Sequence, residues 1–227
     1  MARGLMFGLR ASAEGDLLGP STEASCQLIF AALLVGYLLV RYGLDLGKRR
    51  DQQAKAAQSR IEKAITWLVW LLLLPAVIYP FTPWLELFHL PFPGWLRGLG
   101  GFLFLAGDLL LFWTRQALGK SWSPIQGVDQ TPHLVTIGPY RFIRHPMYAA
   151  MFLITSGMFL LAANLLVGLP YLIAVTFMYL IWVGPEETGL IAAFGAEYRE
   201  YILHTGRLLP RLGRYQMLIF SDSCGRS

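Results

Sequence analysis

The chain is divided into apolar runs long enough to cross a bilayer, separated by short polar loops. A hydrocarbon core of about 30 Å takes roughly 20 helical residues. Five segments approach that length, at about 26–43, 64–81, 95–118, 148–163 and 165–183. Of 227 residues 55% are hydrophobic and 15% charged, too few charges to cover a soluble domain of this size, so lipid must cover much of the surface. The pattern predicts an all-α, polytopic membrane bundle of about five transmembrane helices. The last two are separated only by the region of Asn164, which predicts an antiparallel hairpin whose first helix is short.

Basic residues orient the bundle. Lys48, Arg49, Arg50, Lys55, Arg60 and Lys63 lie between the first two runs, Lys120, Arg141 and Arg144 between the third and fourth, and Arg199, Arg207, Arg211 and Arg214 after the fifth. The other side receives Arg3, Arg10 and Arg97. Positive loops stay cytoplasmic, so the N-terminus is expected outside and the C-terminus in the cytoplasm. The net charge of +5 is spent on loops rather than on a stripe interleaved with aromatics, which argues against a nucleic-acid partner. Two cysteines, Cys26 and Cys224, indicate no disulfide framework. The final Cys-Gly-Arg-Ser has only the frame of a prenylation signal, with Gly225 and Arg226 poor in the aliphatic positions. No cleavable signal peptide is legible, and the first spanning helix is expected to serve as the insertion signal.

Two features inside this frame need partners. Asp108 lies within the third apolar run, where an acid is costly and should face the bundle interior or a wet cavity. Its two readings, structural hydrogen-bond partner and substrate-cavity residue, stand level. Trp84, Trp95, Tyr79 and Phe92 cluster with prolines between the second and third runs and read as interface anchors.

The chemistry is concentrated in residues 133–148, His-Leu-Val-Thr-Ile-Gly-Pro-Tyr-Arg-Phe-Ile-Arg-His-Pro-Met-Tyr. Gly138-Pro139 forces a turn, and Pro146 suits the first turn of a helix. Arg144 and His145 then stand at a helix N-terminus at the membrane surface, where free N–H groups and the dipole favour an anion. Arg144 can clamp a carboxylate, and Tyr140 and Tyr148 offer aromatic faces to an adenine or a sulfonium. After the fifth run comes Pro185-Glu186-Glu187, which reads as a helix start. Leu190, Ile191, Phe194, Tyr198 and Tyr201 recur beyond it at helical spacing, so a cytoplasmic amphipathic C-terminal helix is expected. The predicted topology returns the glutamate pair to the face that carries Arg144-His145.

Gly-Pro-Tyr, then Arg-His-Pro-x-Tyr, Glu-Glu and Phe-Gly-x-Glu-Tyr together resemble the isoprenylcysteine carboxyl methyltransferases, a signature shared with phospholipid and bacterial thiol methyltransferases. The resemblance covers roughly 118–210. It divides the chain into a tail (1–25), helices one to three (26–117), a methyltransferase cofactor-binding region with helices four and five (118–210) and a second tail (211–227). It implies S-adenosylmethionine as cofactor and a lipophilic acceptor entering from the bilayer. Cofactor contacts implied by motif position are Leu134, Val135, Tyr140, His145, Pro146, Met147, Tyr148 and Glu186, with Gln126 added if the loop shifts by one residue.

Two departures stand out. Pro132 occupies a position where the family commonly carries His, so that contact is expected to pass either to backbone or to the neighbouring His133. Trp182 stands where the prenylcysteine enzymes carry an acceptor-binding Arg, which shifts weight from a carboxylate acceptor to a thiol or lipid amine. Arg144 and Glu187 are the residues expected nearest the chemistry, and Asp108 and Trp182 those nearest the acceptor. Glu187, His133 and Asp108 are the bases available if the acceptor arrives protonated. No metal is called for, because displacement at a sulfonium is a matter of holding two reactants in line. A sterol-type NADPH reductase and a non-enzymatic scaffold are the alternatives. The expected setting is a multi-pass protein of a prokaryotic plasma membrane, or of the endoplasmic reticulum in a eukaryote.

Overall fold

The computed structural model describes residues 20–42, 71–118 and 134–211. They form α1 (Pro20–Tyr42), α2 (Leu71–Phe81), α3 (Gly94–Leu118), α4 (Pro146–Ala162), α5 (Leu165–Phe194) and α6 (Ala196–His204). Short 3-10 turns cover Pro83–Phe88 and Gly138–Arg141. The described residues contain no strand, only isolated bridges at His89–Asn164 and Ile143–Gly206. Within α1, α3 and α5, three stretches are long and apolar enough to cross a membrane, while α2 and α4 are shorter apolar helices. Large apolar side chains such as Phe102, Leu109, Phe177 and Leu180 are more than 60% exposed, as lipid-facing residues must be. The protein is a helical membrane bundle. The basic residues between the first two runs lie outside the described residues, as does the start of the second.

Helix association in lipid gains little from apolar burial, so small residues that let backbones touch decide the packing. A Cβ on Gly100 would lie 2.4 Å from the Leu161 nitrogen, and one on Gly157 2.4 Å from that of Phe104. One on Gly107 would meet the Ile154 nitrogen at 2.8 Å. These three glycines seat α4 against α3 over two helical turns, and that contact is the centre of the bundle.

The α4–α5 hairpin forms as expected. Ala163 takes a left-handed conformation (φ 48°) that ends α4, and the Asn164 side chain caps α5 by accepting from Leu166 N at 3.0 Å. At the same end of the bundle Arg97 is 2% exposed, donates to Leu161 O at 2.9 Å and forms an ion pair with Glu23. Tyr79 donates to Glu23 at 3.0 Å. Residues read from sequence as loop charge and interface anchor are therefore interior. The carbonyls at the end of α4 attract a cation, and Arg97 and Glu23 neutralise one another. Trp95, 72% exposed, fits the anchor reading, whereas Phe92 packs edge-on against Phe159.

Pro185 does not start a helix. It lies inside α5, which runs unbroken to Phe194. An interior proline removes one backbone hydrogen bond, which a helix tolerates when both flanks hold helical geometry. The break comes at Gly195, whose φ of 56° a side chain would resist, and α6 begins on its far side. The expected amphipathic helix is thus divided between the end of α5 and α6.

Candidate functional site

Gly138 brings the motif loop against the end of α3. Its φ is 61°, and a Cβ there would lie 2.8 Å from the Ala117 side chain. Pro139 follows, buried, in the 3-10 turn, and Phe142 N bonds back to Pro139 O at 3.1 Å. The loop then runs straight into α4, with His145 at the cap and Pro146 in the first position. No side chain caps α4. Its first-turn N–H groups lack a partner from the helix itself, the usual arrangement for receiving an anion.

The segment after α6 is stitched to this loop. Arg144 N donates to Gly206 O (2.7 Å), His145 N to Arg207 O (3.0 Å) and Gly206 N to Phe142 O (3.3 Å). The Tyr201 hydroxyl reaches Tyr140 O at 2.6 Å. Arg144 extends the seam, donating from its Nη1 to Ile202 O at 3.2 Å and also to Thr205 O.

Glu187 sits where the motif loop, the segment after α6 at 205–207 (the strap) and α5 meet, and it is buried. Its Oε1 accepts from Arg144 Nε (3.1 Å) and Arg207 Nε (3.2 Å) and lies 3.3 Å from His145 Nε2. Its Oε2 accepts from Arg207 Nη2 at 2.6 Å. Glu186, about 100° round the helix, faces the other way. Its side chain is 47% exposed, with one oxygen 3.8 Å from His145 Nδ1 and the Tyr148 hydroxyl within hydrogen-bonding reach.

Between these elements lies a cavity of about 220 Å³. Leu134, Val135, Tyr140, Arg144, His145, Met147, Tyr148 and Glu186 all line it, so most residues singled out from the sequence come together around one space. Leu118, Leu190, Phe194, Tyr198 and Tyr201 complete the wall. Burial holds the Tyr140 and Tyr201 hydroxyls above the usual tyrosine range and pushes Tyr198 up to about 12, so all three stay neutral. The described residues hold no cluster of three or more metal-ligating side chains.

Comparison with known proteins adds the family. Residues 95–197 match the phospholipid methyltransferase family model. The match covers less than half of the chain and marks this region as similar to that family. Over 114 residues the chain is 34% identical to a methanethiol S-methyltransferase of Pseudomonas deceptionensis, a match covering 49% of this chain and 40% of the relative. It is 30% identical over 109 residues to the human protein-S-isoprenylcysteine O-methyltransferase, covering 47% and 38%. The matched stretch thus spans about two fifths of these relatives' own length. A solved structure titled as the eukaryotic intramembrane Ras methyltransferase superposes with a TM-score of 0.50 at 20% identity, covering 86% of this chain and 69% of the other, which is a likeness of fold.

Not every expected site residue joins the cavity. Pro146 is buried in the first turn of α4 and does not line the cavity. Trp182 is 37% exposed on α5, outside the wall. Asp108 is 7% exposed and faces α1, where a Cβ on Gly36 would sit 3.6 Å from its Oδ2. Its Oδ1 is buried without a hydrogen-bond partner. Gln126 and His133 lie outside the described residues. Arg207 went unsingled in the sequence because an arginine in a loop after a helix carries no motif; its place opposite Glu187 appears only once the strap is folded back.

Proposed function

We propose that this chain transfers a methyl group from S-adenosylmethionine to a lipophilic or membrane-partitioned acceptor at the cytoplasmic face of its membrane. The observation that carries the reading is the single cavity onto which Tyr140, His145, Tyr148 and Glu186 converge from two motifs some forty residues apart. It lies at the end of α3 and the start of α4, where apolar helices give way to polar loop.

The residues fit the donor's chemistry. S-adenosylmethionine supplies a methyl group activated on a sulfonium sulfur. Tyr140 and Tyr148 present aromatic faces suited to that cation, and the Glu186 carboxylate is half exposed towards the space. The uncapped N-terminus of α4 suits the donor's carboxylate, and Leu134, Val135, Leu190 and Phe194 give an apolar wall for its base. About 220 Å³ is below the roughly 300–1,000 Å³ of pockets for drug-sized ligands, so the described residues enclose part of the donor. Catalysis here is orientation and exclusion of water.

Arg144 and Glu187 serve this reading as holders of the loop. Each uses the other, and both oxygens of Glu187 accept from arginine, which favours the ionised carboxylate and makes it a poor base for the acceptor's proton. Trp182 in place of an arginine favours a neutral thiol or a lipid amine over an isoprenylcysteine carboxylate. Asp108, ten residues before Leu118 on α3, lies about 15 Å deeper by helical rise and stands as an acceptor-side residue apart from the donor wall.

A transfer assay with methyl-labelled S-adenosylmethionine against lipids, prenylated thiols and small thiols tests the proposal. Label should pass to at least one thiol or lipid amine. Thermal stabilisation of the purified protein by NADPH and not by S-adenosylmethionine would put a reductase in its place.

A further inference from the structure

We infer that Arg207 is a positioning residue for the donor cavity, acting through Glu187 on His145 and Glu186; this rests on the methyl-donor reading above. Arg207 is held twice. Its carbonyl accepts from His145 N at 3.0 Å, and its guanidinium forms a two-point fork on Glu187 at 3.2 and 2.6 Å. Its side chain is nonetheless 53% exposed, whereas that of Glu187 is 9% exposed.

Glu187 is the hub through which that fork acts. A carboxylate gripped from two sides cannot swing, so the helical face that carries it is fixed. Fixing that face fixes Glu186, next in sequence and turned by about 100° towards the cavity. The same Glu187 Oε1 lies 3.3 Å from His145 Nε2. That contact sets the plane of the ring and leaves Nδ1 on the side of Glu186, 3.8 Å away. Arg144 secures Glu187 from the buried side, and Arg207 secures it from the strap. The strap's backbone seam and its side-chain fork close together, so the geometry of the donor site depends on residues 205–207 being docked.

An ion pair whose arginine is half exposed, on a carboxylate that Arg144 also holds, adds little to global stability. A residue with only that role would leave donor affinity alone. A positioning residue changes affinity while the fold persists.

The test compares wild type, Arg207→Gln and Arg207→Lys as full-length protein in detergent, by calorimetry with S-adenosylmethionine and by hydrogen exchange of the Arg144 and His145 amides without donor. In Arg207→Gln we expect donor Kd to rise about tenfold and both amides to exchange at least tenfold faster, with the melting temperature within about two degrees of wild type. Arg207→Lys, which keeps the charge but not the fork, should fall between. Turnover at saturating donor should stay near wild type while KM for donor rises. A Kd within twofold of wild type in both variants, or unchanged amide exchange, overturns the inference. If Arg207→Gln fails to fold, Arg207→Lys carries the decision on the same criteria. Wild type that binds no S-adenosylmethionine defeats the donor reading instead; amide exchange then still decides whether Arg207 docks the strap.

Discussion

The Arg144 guanidinium meets the Glu187 carboxylate at 3.1 Å across a gap of 43 residues, and both side chains are more than 90% buried. That contact joins the loop before α4 to the far end of α5, and Arg144 also ties the strap through its bonds to the Ile202 and Thr205 carbonyls.

Arg144→Ala should therefore be a folding lesion as well as a binding one. Removing one partner of a buried pair costs up to about 3–5 kcal/mol, lessened here because Arg207 still holds Glu187, but added to by the lost bonds to the Ile202 and Thr205 carbonyls. Thermal unfolding should show a much larger drop than in Arg207→Gln. Equal melting temperatures in the two variants would contradict the difference in burial.

Glu186→Gln should separate binding from folding. The side chain is half exposed and holds no seam together, so stability should change by less than about 0.5 kcal/mol. Loss of its charge beside the donor should weaken S-adenosylmethionine at least tenfold, or about 1.4 kcal/mol. Calorimetry on a variant of unchanged melting temperature reads this directly.

Glycine positions give a built-in control. Gly157→Ala places a methyl 2.4 Å from the Phe104 backbone and should sharply reduce the yield of monodisperse protein, since backbone cannot step aside as a flexible side chain can. Gly184→Ala and Gly189→Ala meet nothing within 4 Å and lie in the middle of α5. They should raise stability by about 0.4–1 kcal/mol. Comparable losses at all three positions would show that the α3–α4 contact is not close.

Arg97→Ala should lower stability while leaving donor affinity within twofold. Arg97 binds Glu23 and the last turn of α4, whereas the cavity opens at that helix's first turn, about 25 Å away by helical rise. Calorimetry and thermal unfolding on one preparation check both halves.

What could be read from the sequence follows the kind of signal each feature leaves. Apolar runs and the Asn164 break were visible because lipid demands length and hairpins demand a cap. The Arg-His-Pro-x-Tyr loop and the glutamate pair were visible because prolines and paired charges are unusual at a helix end. Arg97 was counted as loop charge, since no local pattern says that Glu23, 74 residues away, will meet it. A proline before two acids has the chemistry of a helix start, yet α5 continues through Pro185 to Phe194. The division of labour between Glu186 and Glu187 is a matter of helical phase, legible only once Glu187 is seen to meet Arg144 and Arg207.

Calorimetric titration of S-adenosylmethionine into purified wild type and Glu186→Gln tests the donor site most directly. The account predicts saturable one-site binding to wild type, weakened at least tenfold in the variant at unchanged melting temperature. No binding to wild type, or equal affinity in both proteins, would contradict it.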